Sequence, residues 1–234
     1  MRTLLRFFFY LLYHPFAFAY DLVAAVVSVG RWKDWVLSVV PYVRGHRVLE
    51  IGHGPGHLQR VLLSRNLVAV GIDESAPMGR LAQRNLKRFL QVDSSNPHTS
   101  NPQAGYTRIR LTRGIAQHLP FQSESFDSII ATFPSEYFTD PLTLAEVKRC
   151  LSTGGRFIVL PVATFLGRGF LDRLMGSLFR VTGQHPVDPL EIFSERLKRP
   201  FIQADFQVKI ENIEVKSSTV LIVIATKQSR GTSC

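Results

Sequence analysis

The sequence predicts a single α/β domain in which helices cover both faces of a mostly parallel sheet. Short apolar runs such as RVLEI (47–51) and LVAVGI (67–72) are each followed by a segment with helical apolar spacing. Strands that alternate with helices in this way form parallel sheets. The chain has 234 residues, 45% of them hydrophobic, and a chain of that size can bury one core without disulfides or metals.

The first element is a hydrophobic helical extension predicted over residues 1–40, ahead of a domain predicted over 41–228. Its longest run without a formal charge, Phe7 to Tyr20, is shorter than the roughly 20 residues that a membrane-spanning helix needs. Basic residues precede the apolar run as in a secretory signal, but no small-residue cleavage site follows in the right context. The extension therefore predicts a lid on the domain, an element at a membrane interface, or both.

The first strand, at 47–51, runs directly into the turn GHGPGHL and a helix-like QRVLLSR. Gly52, Gly54 and Gly56 permit a sharp turn and a close approach of a ligand to the backbone, and the helix that follows offers free amides at its N-terminus. The turn thus predicts a bound polar ligand. In the dinucleotide pattern GxGxxG the third glycine would come one residue later, where this chain has His57, so NAD(P) is disfavoured.

The second strand, at 67–72, ends at Asp73, about twenty residues beyond the glycine turn. A carboxylate at the C-terminal edge of this strand can accept hydrogen bonds from both ribose hydroxyls. Ser75 is a suitable cap for the helix that follows, and Pro77 suits its first turn. The spacing therefore predicts a ribose-binding edge at Asp73.

The remaining elements continue the same alternation. The polar stretch 94–105 predicts an exposed loop, and Gly154 with Gly155 predicts a turn between a helix and the fifth strand. Helical apolar spacing predicts an insertion at about 163–200. The other predicted elements are strands at about 106–113, 126–133, 204–211 and 218–226, and a helix at 140–151.

The net charge limits which binding partners are expected, and the cysteine content limits which cellular compartment is expected. The formal net charge of +10 predicts attraction to anionic surfaces, either a lipid leaflet or a nucleic acid. No helix-turn-helix, zinc-finger or RNA-recognition signature is visible, so nucleic acid ranks second. The two cysteines, Cys150 and Cys234, predict neither a disulfide framework nor a metal site. We expect a cytoplasmic protein without a metal, peripheral at the inner face of the membrane if the extension is interfacial.

Four segments together resemble the motifs of class I S-adenosylmethionine-dependent methyltransferases. They are VLEIGHGPGHL, VGIDESAPM, GIAQHLPFQSESFDSIIATF and AEVKRCLSTGGRFIVL, and they occur in the family's order across 47–162. The resemblance implies a Rossmann-like, seven-stranded, mostly parallel sheet and an enzyme that uses S-adenosyl-L-methionine as its methyl donor. The chain looks most like the broad group that includes the quinone-biosynthesis methyltransferases.

The resemblance also implies where the cofactor binds. The glycine turn would hold its amino-acid end with Glu50 as polar support, Asp73 would bind the ribose, and the backbone at Ala116 and Gln117 would meet the adenine. Family members often carry an aspartate at the position of Ile115 to accept the adenine amino proton, and that hydrogen bond is not expected here. The expected cofactor-binding residues are Glu50, Gly52, His53, Gly54, Gly56, Asp73, Glu74, Ala116 and Gln117.

The acceptor is defined less closely than the cofactor. FPSEY (133–137) lacks the Asn/Asp-Pro-Pro-aromatic motif associated with methylation of planar amino or amide nitrogens, which favours O- or C-methylation. The apolar insertion and the N-terminal aromatics predict a small or lipophilic acceptor such as a quinone precursor, polyketide, fatty acid or phospholipid. No residue is assigned as a catalytic base.

Three other functions are compatible with parts of the sequence. A non-catalytic, membrane-associated adaptor could retain the fold. A nucleotide-sugar or NAD(P)-dependent enzyme could share the sheet, although the early third glycine opposes it. An RNA methyltransferase would suit the basic charge, but Arg80, Arg84, Lys87 and Arg88 lie on what is usually a solvated helix face.

Overall fold

The structure is a computed structural model that describes residues 30–95, 108–165, 189–216 and 218–228. Seven strands form one sheet in the order β3-β2-β1-β4-β5-β7-β6. Strands β1 to β5 are parallel, and β7 is antiparallel to both of its neighbours. The predicted seven-stranded, mostly parallel sheet is therefore confirmed. The strands are β1 (Arg47–Ile51), β2 (Val68–Asp73), β3 (Leu111–Arg113), β4 (Phe126–Thr132), β5 (Leu151–Phe165), β6 (Phe206–Val215) and β7 (Ser218–Lys227).

The helices lie on both faces of the sheet. Consecutive residues of β1 alternate between two buried apolar layers, with Val48 in one and Leu49 in the other. The Val48 layer is completed by α1, α2 and α3, and the Leu49 layer by α4 and α5. These helices are α1 (Trp32–Leu37), α2 (His57–Ser64), α3 (Ala76–Ser95), α4 (Pro141–Cys150) and α5 (Pro189–Gln203).

Helix α1 packs as part of the domain, although residues 1–40 were predicted as an extension. Trp35, Val36, Val39 and Val40 are all buried in the Val48 layer. The indole N–H of Trp35 donates to Ser218 Oγ at 3.0 Å, which joins α1 to the start of β7. Residues 1–29 of the extension, 96–105 of the predicted loop and 166–188 of the predicted insertion lie outside the described residues. Among the residues that are described, no helix is long and apolar enough to cross a membrane.

Three predicted boundaries are wrong. The third strand, predicted from about residue 106, begins at Leu111, and residues 108–110 lie outside it. Helix α3 continues to Ser95, so residues 94 and 95, which were predicted as loop, are helical. Strand β5 follows α4 directly at Leu151, and the predicted Gly-Gly turn is instead a bulge inside the strand. Phe126 pairs with Leu151 and Ser128 with Arg156, which leaves residues 152–155 opposite a single position of β4. Gly154 permits this with a φ of 75°.

Candidate functional site

The turn between β1 and α2 is built on three glycines with left-handed backbone. Gly52, Gly54 and Gly56 have φ values of 72°, 50° and 86°. A Cβ atom at Gly56 would lie 3.2 Å from the Cβ of Ala82 in α3, whereas one at Gly54 would meet nothing within 4 Å. Gly56 therefore lets α3 approach the turn, and Gly54 leaves room for a ligand to approach the backbone.

Asp73 ties this turn to the end of β2. Its Oδ2 accepts a hydrogen bond from the N–H of Gly54 at 2.9 Å, and its Oδ1 accepts one from the N–H of Ser75 at 2.8 Å. A carboxylate oxygen has two lone pairs, so each oxygen can accept a second hydrogen bond. The half-buried carboxylate is therefore placed to hold the turn and to bind two hydroxyl groups at once.

Glu50 is enclosed beneath the turn. Its side chain is 2% exposed and accepts a hydrogen bond from Gln59 Nε2 of α2 at 2.9 Å. Burial raises the pKa of Glu50 to about 8; the Gln59 hydrogen bond opposes this rise, and the charge of Asp73 adds to it. Glu50 therefore supports the turn from inside as a largely protonated acid at neutral pH.

His53 also turns into the interior. It is 3% exposed, and its Nδ1 lies 2.8 Å from the carbonyl oxygen of Gly54, which can only accept, so Nδ1 carries the proton. Burial lowers the pKa of the ring, which keeps it neutral. The ring lies against Gly71 of β2, where a Cβ atom would be 2.9 Å from His53 Cδ2. His53 thus packs below the turn.

The segment after β3 lies beside the Asp73 end of β2. The N–H of Gly114 donates to the carbonyl oxygen of Asp73 at 3.1 Å, and the N–H of His118 donates to that of Ile115 at 3.3 Å. Ala116 is buried and Gln117 is half-buried. Ile115 is 44% exposed, so this edge presents an apolar side chain where a carboxylate would otherwise stand.

Aromatic side chains gather after the C-terminal end of β4. Phe133 has a φ of 48°, a strained value for a non-glycine residue, and its ring stacks on Trp32 with 4.2 Å between centroids. The hydroxyl of Tyr137 donates to the carbonyl oxygen of Ile51 at 3.4 Å. A Cβ atom at Gly52 would lie 3.0 Å from the Tyr137 hydroxyl oxygen. Tyr137 therefore covers the start of the glycine turn.

The structure brings most of the predicted residues to one edge of the sheet, but some of them are open to solvent and others are enclosed. Gly52, Gly54 and Asp73 meet at the C-terminal ends of β1 and β2. Glu74 has an exposed side chain, and its carbonyl oxygen accepts a hydrogen bond from Arg113 Nε at 3.0 Å. Within the described residues, no three His, Cys, Asp or Glu side chains are grouped as metal ligands would be.

Two residues that organise the site were not predicted. Gln59 is a buried polar residue next to Leu58 on the inward side of α2, and that position in an apolar stripe was the available signal. Gly71 reads in the sequence as an ordinary strand residue. Only the structure shows that it makes room for the His53 ring.

Comparison with known proteins agrees with this geometry. The family model described as a methyltransferase domain matches residues 49–159. The demethylmenaquinone methyltransferase of Symbiobacterium thermophilum is 29% identical, with an alignment that covers 94% of this chain and 92% of the relative. That of Thermotoga maritima is 28% identical, and the alignment covers 64% of this chain and 59% of the relative. This chain therefore carries a methyltransferase domain.

Solved structures share the fold of this methyltransferase. YcgJ of Bacillus subtilis superposes with a TM-score of 0.54 at 18% identity, covering 84% of this chain and 98% of YcgJ. The magnesium protoporphyrin IX methyltransferase of Synechocystis, solved with bound S-adenosylhomocysteine, superposes with a TM-score of 0.51 at 14% identity, covering 84% and 83%. At these identities the likeness concerns the fold.

The cofactor of the family, S-adenosylmethionine, fits the residues at this edge. The space beside Gly54 gives an amino-acid tail access to the backbone, and Asp73 retains acceptor capacity for the two ribose hydroxyls. The turn after β3 is joined to Asp73 by its backbone, which sets a surface for the base next to the ribose. The residues at this edge therefore fit S-adenosylmethionine as a cofactor.

Proposed function

We propose that this methyltransferase transfers the methyl group of S-adenosylmethionine to a ring carbon of a lipophilic, quinone-type acceptor. The observation that carries the proposal is the alignment with the demethylmenaquinone methyltransferase of Symbiobacterium thermophilum. That alignment covers 94% of this chain, so it extends well beyond the methyltransferase domain at 49–159. It therefore includes segments that flank the acceptor side as well as the cofactor motifs.

The surroundings of each residue support a particular cofactor role. The backbone at Gly52 and Gly54 holds the amino-acid end, and Asp73 accepts the ribose hydroxyls, with Glu74 beside it. Ala116 and Gln117 contact the adenine. The residues that act from below, by fixing the turn, are Glu50, His53 and Gly56.

The acceptor is held by the aromatic group after β4. When bound, S-adenosylmethionine supplies a methyl group that a sulfonium makes electrophilic. The chain itself has to align the acceptor and exclude water. The stacked rings of Trp32 and Phe133 offer an apolar surface for a planar ring. The oxygen of the Tyr137 hydroxyl, whose hydrogen is donated to Ile51, can accept a hydrogen bond from a ring hydroxyl. The acceptor would be the reduced, hydroquinone form, because its ring carbon is a nucleophile, and the proton displaced from that carbon would pass to solvent.

We also propose that the enzyme meets this acceptor at an anionic lipid surface, because a lipophilic quinone partitions into membranes. Helix α3 exposes Arg80, Arg84, Lys87 and Arg88, and none of them forms an ion pair with a carboxylate of the described residues. Arg60 of α2 extends this side with its guanidinium 5.4 Å from the Phe89 ring centroid. Such a face attracts anionic headgroups.

The function is tested by methyl transfer to demethylmenaquinol, the reduced form of demethylmenaquinone whose ring carbon is nucleophilic, dispersed in detergent without oxygen, with product analysis by NMR. We expect one new methyl group on a ring carbon. In calorimetric titration with S-adenosylhomocysteine, Asp73→Asn should weaken binding by about 10- to 150-fold, the equivalent of roughly 1.5–3 kcal/mol for hydrogen bonds to a charged group.

Glu214→Gln, on the exposed side of β6, is the control and should bind like the wild type. If the protein binds S-adenosylhomocysteine but transfers no methyl group to any quinone-type acceptor, the proposed acceptor class is wrong. A folded wild type that does not bind S-adenosylhomocysteine would favour the adaptor function instead.

A further inference from the structure

An ion pair on α4 reaches out of its helix to the segment that follows β3. Glu146 and Arg149 lie one turn apart and pair through two contacts, Nε to Oε1 at 2.7 Å and Nη2 to Oε2 at 2.8 Å. The hydrogen bond from Arg149 lowers the pKa of Glu146, so the pair is ionised at neutral pH. This two-point geometry fixes the plane of the guanidinium.

The remaining bonds of this pair go to backbone groups. Glu146 Oε2 accepts a hydrogen bond from the N–H of Leu119 at 2.8 Å. Arg149 donates to the carbonyl oxygen of Phe121 at 2.7 Å and to that of Leu119 at 2.9 Å. One ion pair thus satisfies three backbone groups within three residues, which is more than a surface pair that only stabilises its own helix would do.

The anchored residues directly follow the expected adenine contacts. The turn from Ile115 to His118 is held at its start, where Gly114 donates to the carbonyl oxygen of Asp73, and at its end, where Leu119 meets Glu146. The Ile115 side chain cannot accept a hydrogen bond from a base, so recognition at this turn falls to the backbone and to Gln117. Backbone groups read a base only if their orientation is fixed.

We propose that Glu146 and Arg149 form a positioning pair, which fixes the turn at 115–118 so that its backbone recognises the adenine of the cofactor. The inference rests on the proposed cofactor roles of Ala116 and Gln117. Neither Glu146 nor Arg149 touches the cofactor, and both act through Leu119 and Phe121. The pair therefore determines base selectivity as well as affinity.

Base selectivity gives a readout that general loss of stability does not change. The test compares the dissociation constants of S-adenosylhomocysteine and S-inosylhomocysteine, which differ at the amino edge of the base, for wild type and Arg149→Lys. Lysine keeps the charge, but its single nitrogen cannot span both carbonyls and the carboxylate. We expect the preference for adenine to fall about tenfold, the equivalent of one well-aligned hydrogen bond.

Two further variants keep the test decisive. Glu146→Gln retains an acceptor for Leu119 while it removes the charge, and it should reduce the preference less. Asp205→Asn removes the carboxylate partner of Lys148, the residue next to Arg149 on α4, and does not touch the turn. This control should keep the wild-type preference.

Each outcome separates the inference from the function on which it rests. A wild type that binds S-adenosylhomocysteine and a folded Arg149→Lys that keeps the full adenine preference would overturn the positioning role alone. A wild type that does not distinguish the two bases would overturn it as well. Failure of the wild type to bind S-adenosylhomocysteine would overturn the proposed cofactor roles themselves.

Discussion

Gly71 and His53 show how a single strand position can fix the conformation of the glycine turn. The His53 ring lies over Gly71 and is tied through Nδ1 to the carbonyl oxygen of Gly54. A side chain at position 71 would collide with His53 and with Leu111, whose Cδ2 would lie 2.7 Å from the new Cβ. Leu111 can turn away, but His53 can move only if the glycine turn moves with it.

We therefore predict that Gly71→Ala destabilises the protein and weakens cofactor binding together. Overpacking of a closed core typically costs about 1–3 kcal/mol of unfolding free energy. The measurements are urea denaturation and calorimetric titration with S-adenosylhomocysteine. Gly79→Ala in α3 is the matched control, because its Cβ meets nothing within 4 Å and should stabilise the helix by about 0.5–1 kcal/mol. Wild-type stability and affinity in Gly71→Ala would contradict the role given to His53.

At the scale of elements, Asp127 joins the N-terminal ends of β1 and β4. Its Oδ2 accepts hydrogen bonds from the N–H groups of His46 and Arg47, both at 3.0 Å, and its Oδ1 pairs with Arg47 Nη2 at 2.5 Å. Its carboxylate also lies where a side chain at Gly45 would have to be. These contacts set where β1 begins, and so they position the glycine turn at its other end.

The same carboxylate predicts a defined pH dependence. Hydrogen bonds from Arg47 lower the pKa of Asp127 from 3.8 to about 2, against the effect of burial, with backbone bonds and the Arg47 charge adding to the shift. A lowered folded-state pKa stabilises the fold above pH 4, and this contribution is lost as the pH falls toward 2. The side chain is 24% exposed, and with screening we expect the contribution to be about 1 kcal/mol.

Asp127→Asn should accordingly be less stable than the wild type at pH 7, and the difference should vanish near pH 2. Denaturation curves between these values measure it. Glu195→Gln removes an exposed ion pair on α5 and should change little at any pH. A difference for Asp127→Asn that stays constant with pH would contradict the assignment.

At the scale of the whole molecule, which has a net charge of +10, some cations are paired with carboxylates and others are not. Lys148, Lys198 and Lys227 each pair with a nearby carboxylate. The four cations of α3 have no such partner among the described residues and lie on one helix face. Under the proposed function, an unpaired face of this kind would direct the molecule toward an anionic surface in one orientation.

Vesicle binding tests that orientation. Replacing Arg80, Arg84, Lys87 and Arg88 with glutamine should weaken binding to vesicles of phosphatidylcholine and phosphatidylglycerol more than tenfold, since each cation near such a surface contributes about 1 kcal/mol. The control removes the same charge elsewhere, through Arg196, Arg199, Lys209 and Lys216 to glutamine. Equal losses of binding in both variants would show that only the net charge matters. No loss of binding in the α3 variant would show that this face does not bind the membrane.

The sequence by itself determined that strands alternate with helices in a mostly parallel sheet, and it determined where the glycine turn lies. Alternation of strands and helices follows from local apolar periodicity, and the glycines and Asp73 are adjacent to strands whose C-terminal ends must meet in a parallel sheet. These features depend on short-range patterns, so they can be read along the chain. The bulge at 152–155 was missed because Gly154 and Gly155 permit a turn and a bulge equally well.

Only the tertiary structure decided which residues lie open at the glycine turn and which are enclosed beneath it. Glu50 and His53 belong to the motif but are enclosed, while Gln59, Gly71 and the Glu146–Arg149 pair come from outside it. The contact between Arg149 and Phe121 spans 28 positions of the chain, and that from Tyr137 to Ile51 spans 86. Such contacts arise from packing between elements, and no local pattern encodes them.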